Sequence, residues 1–264
     1  MAGPTTAERG ARQQESSGPP LVRKLGTPRL RRIIILALAL VLLGAGGVWV
    51  LYGSQWLRVE RVSVSGTRVL SSQQVREAAD VPVGAPLVSV DTDAIETRLR
   101  AELPRIDSVD VVRSWPHGIG LKVTERKPVL LVRKGRDFVE VDDEGVRFAT
   151  ISTALRGVPL LALETTPSSS ASASLRRFGA DRLVREAVRA VGALPAAVAR
   201  DTRGVKVRSY DDITLELSGG RTVAWGSAEK GSAKARTLVA VMKASPDARH
   251  FDVSVPTAPA SSGS

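Results

Sequence analysis

The residues that could carry chemistry are few, and none of them stands in a catalytic spacing. The chain has two histidines, His117 and His250, and no cysteine. Neither histidine has a His-x-x-x-His partner, and the chain has no Gly-x-Ser-x-Gly, Walker A or Gly-x-Gly-x-x-Gly motif. The missing cysteine excludes disulfides, thiol catalysis and zinc sites of the cysteine type. We therefore predict that the chain is not an enzyme and has no catalytic residue, metal site or cofactor.

Two other groups of residues have a structural interpretation. The acidic stretch 142–144 lacks the EF-hand spacing and its terminal Glu, so we interpret it as a charged turn rather than a calcium site. Trp115 and Trp225 could stack on a sugar, yet a single tryptophan more often fills a core or anchors a segment. His117 and His250 are predicted to be exposed. We therefore predict no small-molecule substrate.

The net charge of +11 would suit a nucleic-acid partner, so its distribution matters. Residues 1–32 hold seven of the 38 Lys and Arg residues but only two of the 27 Asp and Glu residues. In the remaining chain, charges of both signs are interspersed. We therefore predict no nucleic-acid partner.

Residues 33–53 form an uncharged segment of 21 residues, reading IIILALALVLLGAGGVWVLYG. As an α-helix this segment would span roughly 31 Å, about one hydrocarbon core, so we predict a transmembrane helix. The alternative is a cleaved signal peptide whose small residues at 44–47 would form the cleavage region. The length of the apolar run, and of the basic segment before it, argues against that alternative.

The residues flanking this segment predict its orientation. Arg29, Arg31 and Arg32 lie directly before it, and positive flanks stay in the cytoplasm. Residues 1–32 are therefore predicted to be a disordered cytoplasmic tail, with the rest of the chain outside the cytoplasmic membrane. The basic residues either only fix this topology or also bind anionic lipid or a cytoplasmic partner.

Residues 57–126 begin with a strand pattern and a helix signal. Residues 61–65 alternate polar and apolar side chains before Gly66, which predicts a half-buried strand and a turn. Ser71 and Gln74 fit a capping box, so a short helix is predicted to follow them.

A second helix and two strands complete this part. Asp91 or Asp93 can cap the helix, and Pro104 stops it. Alternating apolar residues then predict strands at 106–113 and 119–124. Because one apolar face of each element must be buried, the order β-α-α-β-β predicts a three-stranded sheet with two helices on one face. The predicted core includes Val62, Val64, Val109, Val111 and Val123.

This order resembles a POTRA domain, and particular stretches resemble the FtsQ/DivIB family of bacterial cell-division proteins. The stretches are VERVSVSG at 59–66, SVDVVRSWP at 108–116 and VTERKP at 123–128. The physical logic agrees, since Pro128 cannot continue a central ladder and marks the end of the domain.

Residues 129–256 are predicted to form a mostly antiparallel β domain with accessory helices, so the fold class is α+β. Strands are predicted around an acidic turn at 138–148, and a low-complexity loop at 164–174. Further predicted elements are a helix at 176–193, strands at 205–207, 213–217 and 222–225, a helix at 234–243 and a final strand at 250–256. Residues 257–264 are predicted to be a disordered C-terminal tail. This half also resembles the family through Gly226, Lys234 and the FDVSVP stretch at 251–256.

The resemblance implies a non-enzymatic scaffold at the division septum that helps assemble and regulate septal cell-wall synthesis. It implies partners of the FtsB/DivIC-like and FtsL-like bitopic kinds. Two alternatives remain. A membrane-anchored peptidoglycan hydrolase or binding protein would need a carboxylate or metal constellation, and none is found. A POTRA-type chaperone or secretion receptor would have repeated POTRA units or a transmembrane barrel.

The resemblance also implies the partner site. In the family, the last strand of the β domain lies at a sheet edge and receives a partner segment. Mapped onto this sequence, that strand is His250, Phe251, Asp252, Val253, Ser254, Val255 and Pro256, with Trp225 as a second candidate. An edge strand offers unpaired N–H and C=O groups that an incoming strand can satisfy. We expect Pro256 to end the ladder and the tail to leave the edge uncovered; the alternative is an ordinary core strand.

Overall fold

The structure is a computed structural model that describes residues 28–164 and 179–263. The predicted cytoplasmic tail up to residue 27 and most of the predicted low-complexity loop lie outside these residues. The chain divides into two units, residues 1–53 and residues 54–264, which are described separately.

The described residues of the first unit form one long helix, α1, at Pro28–Gly53. Its 26 residues have a mean hydropathy of 2.7 and none of them is buried within the molecule. Transfer of apolar side chains from water to an apolar environment is favourable, so a helix with this apolar surface is not stable in water on its own. The helix is long and apolar enough to cross a membrane, as predicted for residues 33–53.

The second unit begins with a three-stranded sheet and two helices. The elements are β1 at Arg61–Ser65, α2 at Ser72–Ala79, α3 at Thr92–Glu102, β2 at Ile106–Ser114 and β3 at Gly118–Glu125. The strand order is β1-β3-β2, with β3 parallel to β1 and antiparallel to β2. The predicted order β-α-α-β-β is confirmed.

Local chemistry explains where these helices begin. The Gln74 N–H donates to Ser71 Oγ at 3.1 Å, and the Ser71 N–H donates to Gln74 Oε1 at 2.9 Å, which is the predicted capping box. Asp91, rather than Asp93, caps α3, because its carboxylate accepts the Ala94 N–H at 3.0 Å.

The core of this first part lies between the sheet and the two helices. Val109, Val111 and Val123 are buried as predicted, while Val62 and Val64 are only half-buried, because β1 is an edge strand. Gly66 has φ of +88° and a Cβ there would lie 2.0 Å from the Val123 carbonyl oxygen, so this turn requires glycine.

The rest of the second unit, in its described residues 129–164 and 179–263, is a nine-stranded sheet with three helices. Its strands are β4 at Leu130–Lys134, β5 at Asp137–Val141, β6 at Arg147–Ile151, β7 at Leu160–Leu163, β8 at Thr202–Ser209, β9 at Asp212–Leu217, β10 at Thr222–Gly226, β11 at His250–Asp252 and β12 at Ala260–Ser262. Its helices are α4 at Ala180–Gly192, α5 at Ala196–Asp201 and α6 at Gly231–Ala244.

The strand order is β12-β11-β10-β9-β8-β7-β4-β5-β6, and five of the eight pairings are antiparallel. Helices α4 and α6 bury apolar side chains against this sheet, among them Leu183, Val184 and Leu238. The prediction of an α+β fold with a mostly antiparallel sheet is confirmed.

Two predictions about the C-terminus are wrong. The strand that was predicted at 250–256 ends at Asp252 rather than at Pro256. Residues 260–262, predicted to be disordered, form β12 against β11. The Ala-Ser-Ser sequence has low strand propensity, so this strand is imposed by its position, because an open sheet edge pairs with any extended backbone nearby.

Candidate partner-binding edge

Strand β11 has neighbours on both sides. It runs parallel to β10, with Phe251 opposite Val223, and antiparallel to β12, with Phe251 opposite Ser261. The edge that was expected to be uncovered is therefore occupied by the chain's own tail.

The side chains of β11 divide between the two faces of the sheet. Phe251 is buried in the core beneath α6, whereas His250 and Asp252 are exposed on the other face. His250 Nδ1 lies 2.7 Å from the Thr222 hydroxyl on β10. The predicted exposure of His250 agrees with this position.

A turn stops β11 after three residues. The Asp252 carboxylate accepts the Ser254 N–H at 2.9 Å and the Ser254 hydroxyl at 2.6 Å. These local hydrogen bonds compete with the backbone pairing that would continue the strand. The N–H of Val253 still donates to the Ala224 carbonyl at 3.0 Å. The Ser254 N–H is therefore unavailable to a partner strand, contrary to our expectation for residues 253–256.

The remaining predicted edge residues lie in the connection between β11 and β12. Val253 is buried, Val255 is exposed, and the Pro256 carbonyl accepts the Thr237 hydroxyl from α6 at 3.1 Å. The Ala258 N–H then donates to the Val255 carbonyl at 3.0 Å, which reverses the chain toward β12.

Trp225, the second candidate, is fully buried in β10 and cannot offer its ring to a partner in this structure. Lys234 from α6 lies beside it, with Nζ 5.9 Å from the ring centroid. This ammonium donates to the carbonyls of Trp225 and Ser227, each at 2.8 Å, and its burial lowers the pKa of Lys234 despite the nearby acidic charges. Trp225 and Lys234 therefore fix the turn that follows β10.

Arg29, Arg31 and Arg32, the residues predicted to set the membrane topology, lie in the first turns of α1 and are exposed. They lie at the N-terminal end of the apolar helix.

A cluster of ion pairs, which sequence reasoning missed, joins the three-stranded and nine-stranded sheets. Arg105, which precedes β2, pairs with Glu140 of β5, and Arg126, which follows β3, pairs with Asp142 after β5. Both carboxylates are almost fully buried. The backbone N–H of Arg126 also donates to the backbone carbonyl of Arg105 at 2.8 Å, which holds the two ion pairs next to each other.

The charged groups around Arg126 favour its protonated, positively charged form. Burial would lower the pKa of Arg126, but the hydrogen bond and charge of Asp142, with smaller effects of nearby acids, raise it. Asp142 Oδ1 also accepts the N–H groups of Glu144 and Val146 at 3.0 and 2.7 Å. The acidic stretch is thus a turn, as predicted, but its first residue has a buried partner in the other sheet.

Glu125 fixes the neighbouring loop. Its carboxylate accepts the backbone N–H groups of Arg68, Val69 and Leu70 at 2.7 to 3.1 Å. Burial would raise the pKa of Glu125, but these three hydrogen bonds and the Arg105 charge lower it. Among residues 28–164 and 179–263, no group of three His, Cys, Asp or Glu side chains is placed to hold a metal ion. We assign these charged groups a structural role.

Two family models match consecutive parts of the chain. The model described as "POTRA domain, FtsQ-type" matches residues 57–126, and the model described as "Cell division protein FtsQ/DivIB, C-terminal" matches residues 130–254. Together these matches include both sheets of the second unit up to the turn after β11.

Curated relatives match over most or all of the chain. "Cell division protein FtsQ" of Streptomyces coelicolor is 77% identical over 264 residues and covers 100% of both chains. The protein of the same description from Mycolicibacterium smegmatis is 31% identical over 231 residues, which is 86% of this chain and 62% of that protein. A solved extracytoplasmic domain of DivIB from Geobacillus stearothermophilus covers 46% of this chain and 94% of that one, at 17% identity and a TM-score of 0.33.

Proposed function

The chain belongs to the FtsQ/DivIB family of bacterial cell-division proteins, and from this premise we propose that it is a non-enzymatic, single-pass membrane scaffold. It would recruit other bitopic division proteins, of the FtsB/DivIC-like and FtsL-like kinds, outside the cytoplasmic membrane. In doing so it would help assemble and regulate septal cell-wall synthesis.

The proposed orientation places α1 in the membrane, the N-terminus in the cytoplasm and residues 54–264 outside. The three arginines before the apolar segment support it, since basic residues are retained on the cytoplasmic side. The absence of cysteine is compatible with an oxidising exterior.

Reporter fusions test this orientation. A reporter active only outside the cytoplasm should be active when fused after residue 60 and inactive when fused at residue 25, and a cytoplasm-dependent reporter should give the opposite pattern. Exchanged activities would contradict the orientation. A mature N-terminus near Gly47 would instead identify a cleaved signal peptide.

The recruiting site we propose is the outer edge of the β11–β12 pair, and one observation carries it: β12 is the last strand of the nine-stranded sheet and, among the described residues, pairs only with β11. The geometry of the ladder supports the same site. The Thr222 N–H donates to the Arg249 carbonyl at 2.8 Å and the Val253 N–H donates to the Ala224 carbonyl at 3.0 Å, so the residues that flank β11 direct these backbone groups at β10. His250 and Asp252 then direct theirs to β12, and Ser261 of β12, which lies opposite Phe251, directs its own away from β11, because neighbouring residues of a strand alternate.

A single introduced thiol tests this site, since the chain has no other cysteine. We expect a Ser262→Cys variant to form disulfide adducts in cells with cysteines placed along the extracytoplasmic segment of the FtsB/DivIC-like partner, with yields alternating at every second partner residue. Strand pairing brings opposed Cβ atoms within about 5.5 Å, close to the distance that a disulfide requires.

The matched control is Thr150→Cys, an exposed residue of β6 at the other edge of the same sheet. It should give no adduct above background. Adducts of equal yield from both edges, or none from position 262 while the partner still co-purifies, would show that the partner binds elsewhere.

A further inference from the structure

Three bulky apolar side chains are exposed at one end of the three-stranded sheet. Trp56 is 69% exposed, Val83 is 68% exposed and Trp115 is 52% exposed. β1 and the parallel β3 begin at this end of the sheet, and the antiparallel β2 finishes there. Single exposed apolar residues are normal, whereas a cluster of them marks an interaction surface. We call these three residues the tryptophan surface.

Contacts around His117 hold the two tryptophans at this end. The Trp56 ring lies edge-on to the His117 ring, with the ring centroids 6.3 Å apart, and Trp115 lies two residues before His117 in the turn from β2 to β3. The His117 carbonyl accepts the N–H groups of Glu60 and Arg61 at 2.9 and 3.2 Å, which fixes this turn to the start of β1. His117 itself, which was predicted to be exposed, is half-buried.

Val83 belongs to the same surface because its loop is fixed beside the segment that precedes β1. The Arg58 guanidinium donates to the Gly84 carbonyl at 2.6 Å, and the Gly84 N–H donates to the Val59 carbonyl at 2.8 Å. A depression of about 520 Å³ is lined by both Gln55 and Val83. The loop and the segment that carries Trp56 therefore form one continuous surface.

The charges that adjoin this surface are of both signs, so electrostatic attraction does not select its occupant. Glu60 precedes Arg61 in the chain, and Asp80 lies three residues before Val83. The indole side chain supplies the selection instead. It combines a large apolar ring with one N–H donor, and this combination favours the boundary between lipid headgroups and water.

The covalent chain keeps the tryptophan surface near the end of α1. This helix ends at Gly53, and Trp56 follows three residues later. Because an extended chain advances at most about 3.6 Å per residue, the Cα atoms of Gly53 and Trp56 lie within about 11 Å of each other. The Ser54 hydroxyl accepts the Trp56 N–H at 3.1 Å and begins a 3₁₀ turn at Gln55–Leu57, which shortens this distance further. If α1 crosses the membrane, lipid headgroups are the occupant that the chain itself holds within reach.

We propose that the tryptophan surface docks onto the lipid headgroups of the membrane, with both indoles at the boundary between headgroups and acyl chains. This inference rests on the proposed function, because it requires α1 to be a retained membrane anchor. It adds a second, peripheral attachment that fixes which side of the three-stranded sheet faces the bilayer.

Spin labelling of the full chain in phosphatidylcholine nanodiscs, with one chain per disc, tests this proposal. A nitroxide on Val83→Cys probes the surface, and each variant has a single cysteine. Val69→Cys is the matched control, because Val69 is also 68% exposed but lies beside Glu125 at the opposite end of β3. We expect the label at position 83 to collide several-fold less with a water-soluble nickel chelate than the label at position 69, and more with oxygen, which concentrates in the bilayer.

Removing the indoles separates docking from mere proximity to the membrane. Trp56→Ala combined with Trp115→Ala, in the Val83→Cys chain, should raise the nickel accessibility at position 83 to the value at position 69. Because both indoles are exposed, the double substitution should leave the hydrogen exchange of the β3 amides unchanged.

Each other outcome overturns the docking in a distinguishable way. Equal nickel accessibility at positions 83 and 69, or protection at position 83 that survives the loss of both indoles, would overturn it while a chain that stays inserted in the discs leaves the proposed anchor intact. Protection that appears only in discs with two chains would assign the surface to contact between copies instead of lipid. A chain that does not insert into the discs would overturn the anchor, and the docking with it.

Discussion

Replacing Trp225 with alanine is expected to lower the free energy of unfolding of residues 54–264 by about 3–5 kcal/mol, because the indole is fully buried in the core of the nine-stranded sheet. The cavity would open beside Lys234, whose ammonium lies over the ring, so the variant also removes a cation–π contact. Denaturant-induced unfolding, followed by circular dichroism, measures the change.

Trp225→Phe is the matched control. The indole Nε1 is buried and has no hydrogen-bond acceptor among the described residues, so a phenyl ring removes an unpaired donor while retaining most of the apolar contact. It should therefore cost much less than alanine. A Trp225→Ala variant that unfolds like wild type but loses the partner would contradict the buried position and make this residue a contact site instead.

The sequence predicts those parts of the fold that depend on local chemistry. The capping box of α2 needs only Ser71 and Gln74, which lie within one turn of helix, so no tertiary information is required. The strands β3 and β9 place large apolar residues at every second position because each has one face on a core, and this period of two identifies them directly.

The elements that the sequence did not predict are defined by distant partners. β4 and β7 are short, lie in the middle of the sheet and pair in parallel with each other, so neither shows period-2 alternation, and β7 is not part of a hairpin. β12 has no local strand signal and exists because β11 offers an edge. β11 ends early because the Asp252 carboxylate accepts the Ser254 N–H, which would otherwise be free to continue the strand. The sequence DVS by itself is equally compatible with a continuing strand.

The sequence predicted which region of the chain holds the candidate site, but not whether the tail pairs with that region. The resemblance placed it at the last strand of the family's β domain, and the backbone geometry supports an accepting edge there. Whether a tail covers that edge depends on pairing across a seven-residue connection, for which spacing and composition carry no signal. The ion pairs between the sheets were missed for the same reason: nothing local links Arg126 to a carboxylate sixteen residues later.

These ion pairs lead to the second large expected effect. Glu140→Ala should lower the free energy of unfolding of residues 54–264 by about 3–5 kcal/mol, because it leaves the guanidinium of Arg105 largely buried without its carboxylate. The Arg105 guanidinium also lies 5.2 Å from the ring centroid of Phe148, so its position is fixed by packing and it cannot turn freely toward water.

Glu216→Ala is the matched control, since Glu216 also lies on a strand and pairs with Lys206 at 2.6 Å, but both side chains are well exposed to solvent. Its loss should cost at most about 1 kcal/mol. The double variant Arg105→Met with Glu140→Leu should recover most of the stability lost by Glu140→Ala, because a buried pair exchanged for apolar side chains leaves no charge unpaired. Equal losses for Glu140→Ala and Glu216→Ala would show that the contact between the two sheets is hydrated. In that case the three-stranded part would be free to move against the edge that we assign to partner binding.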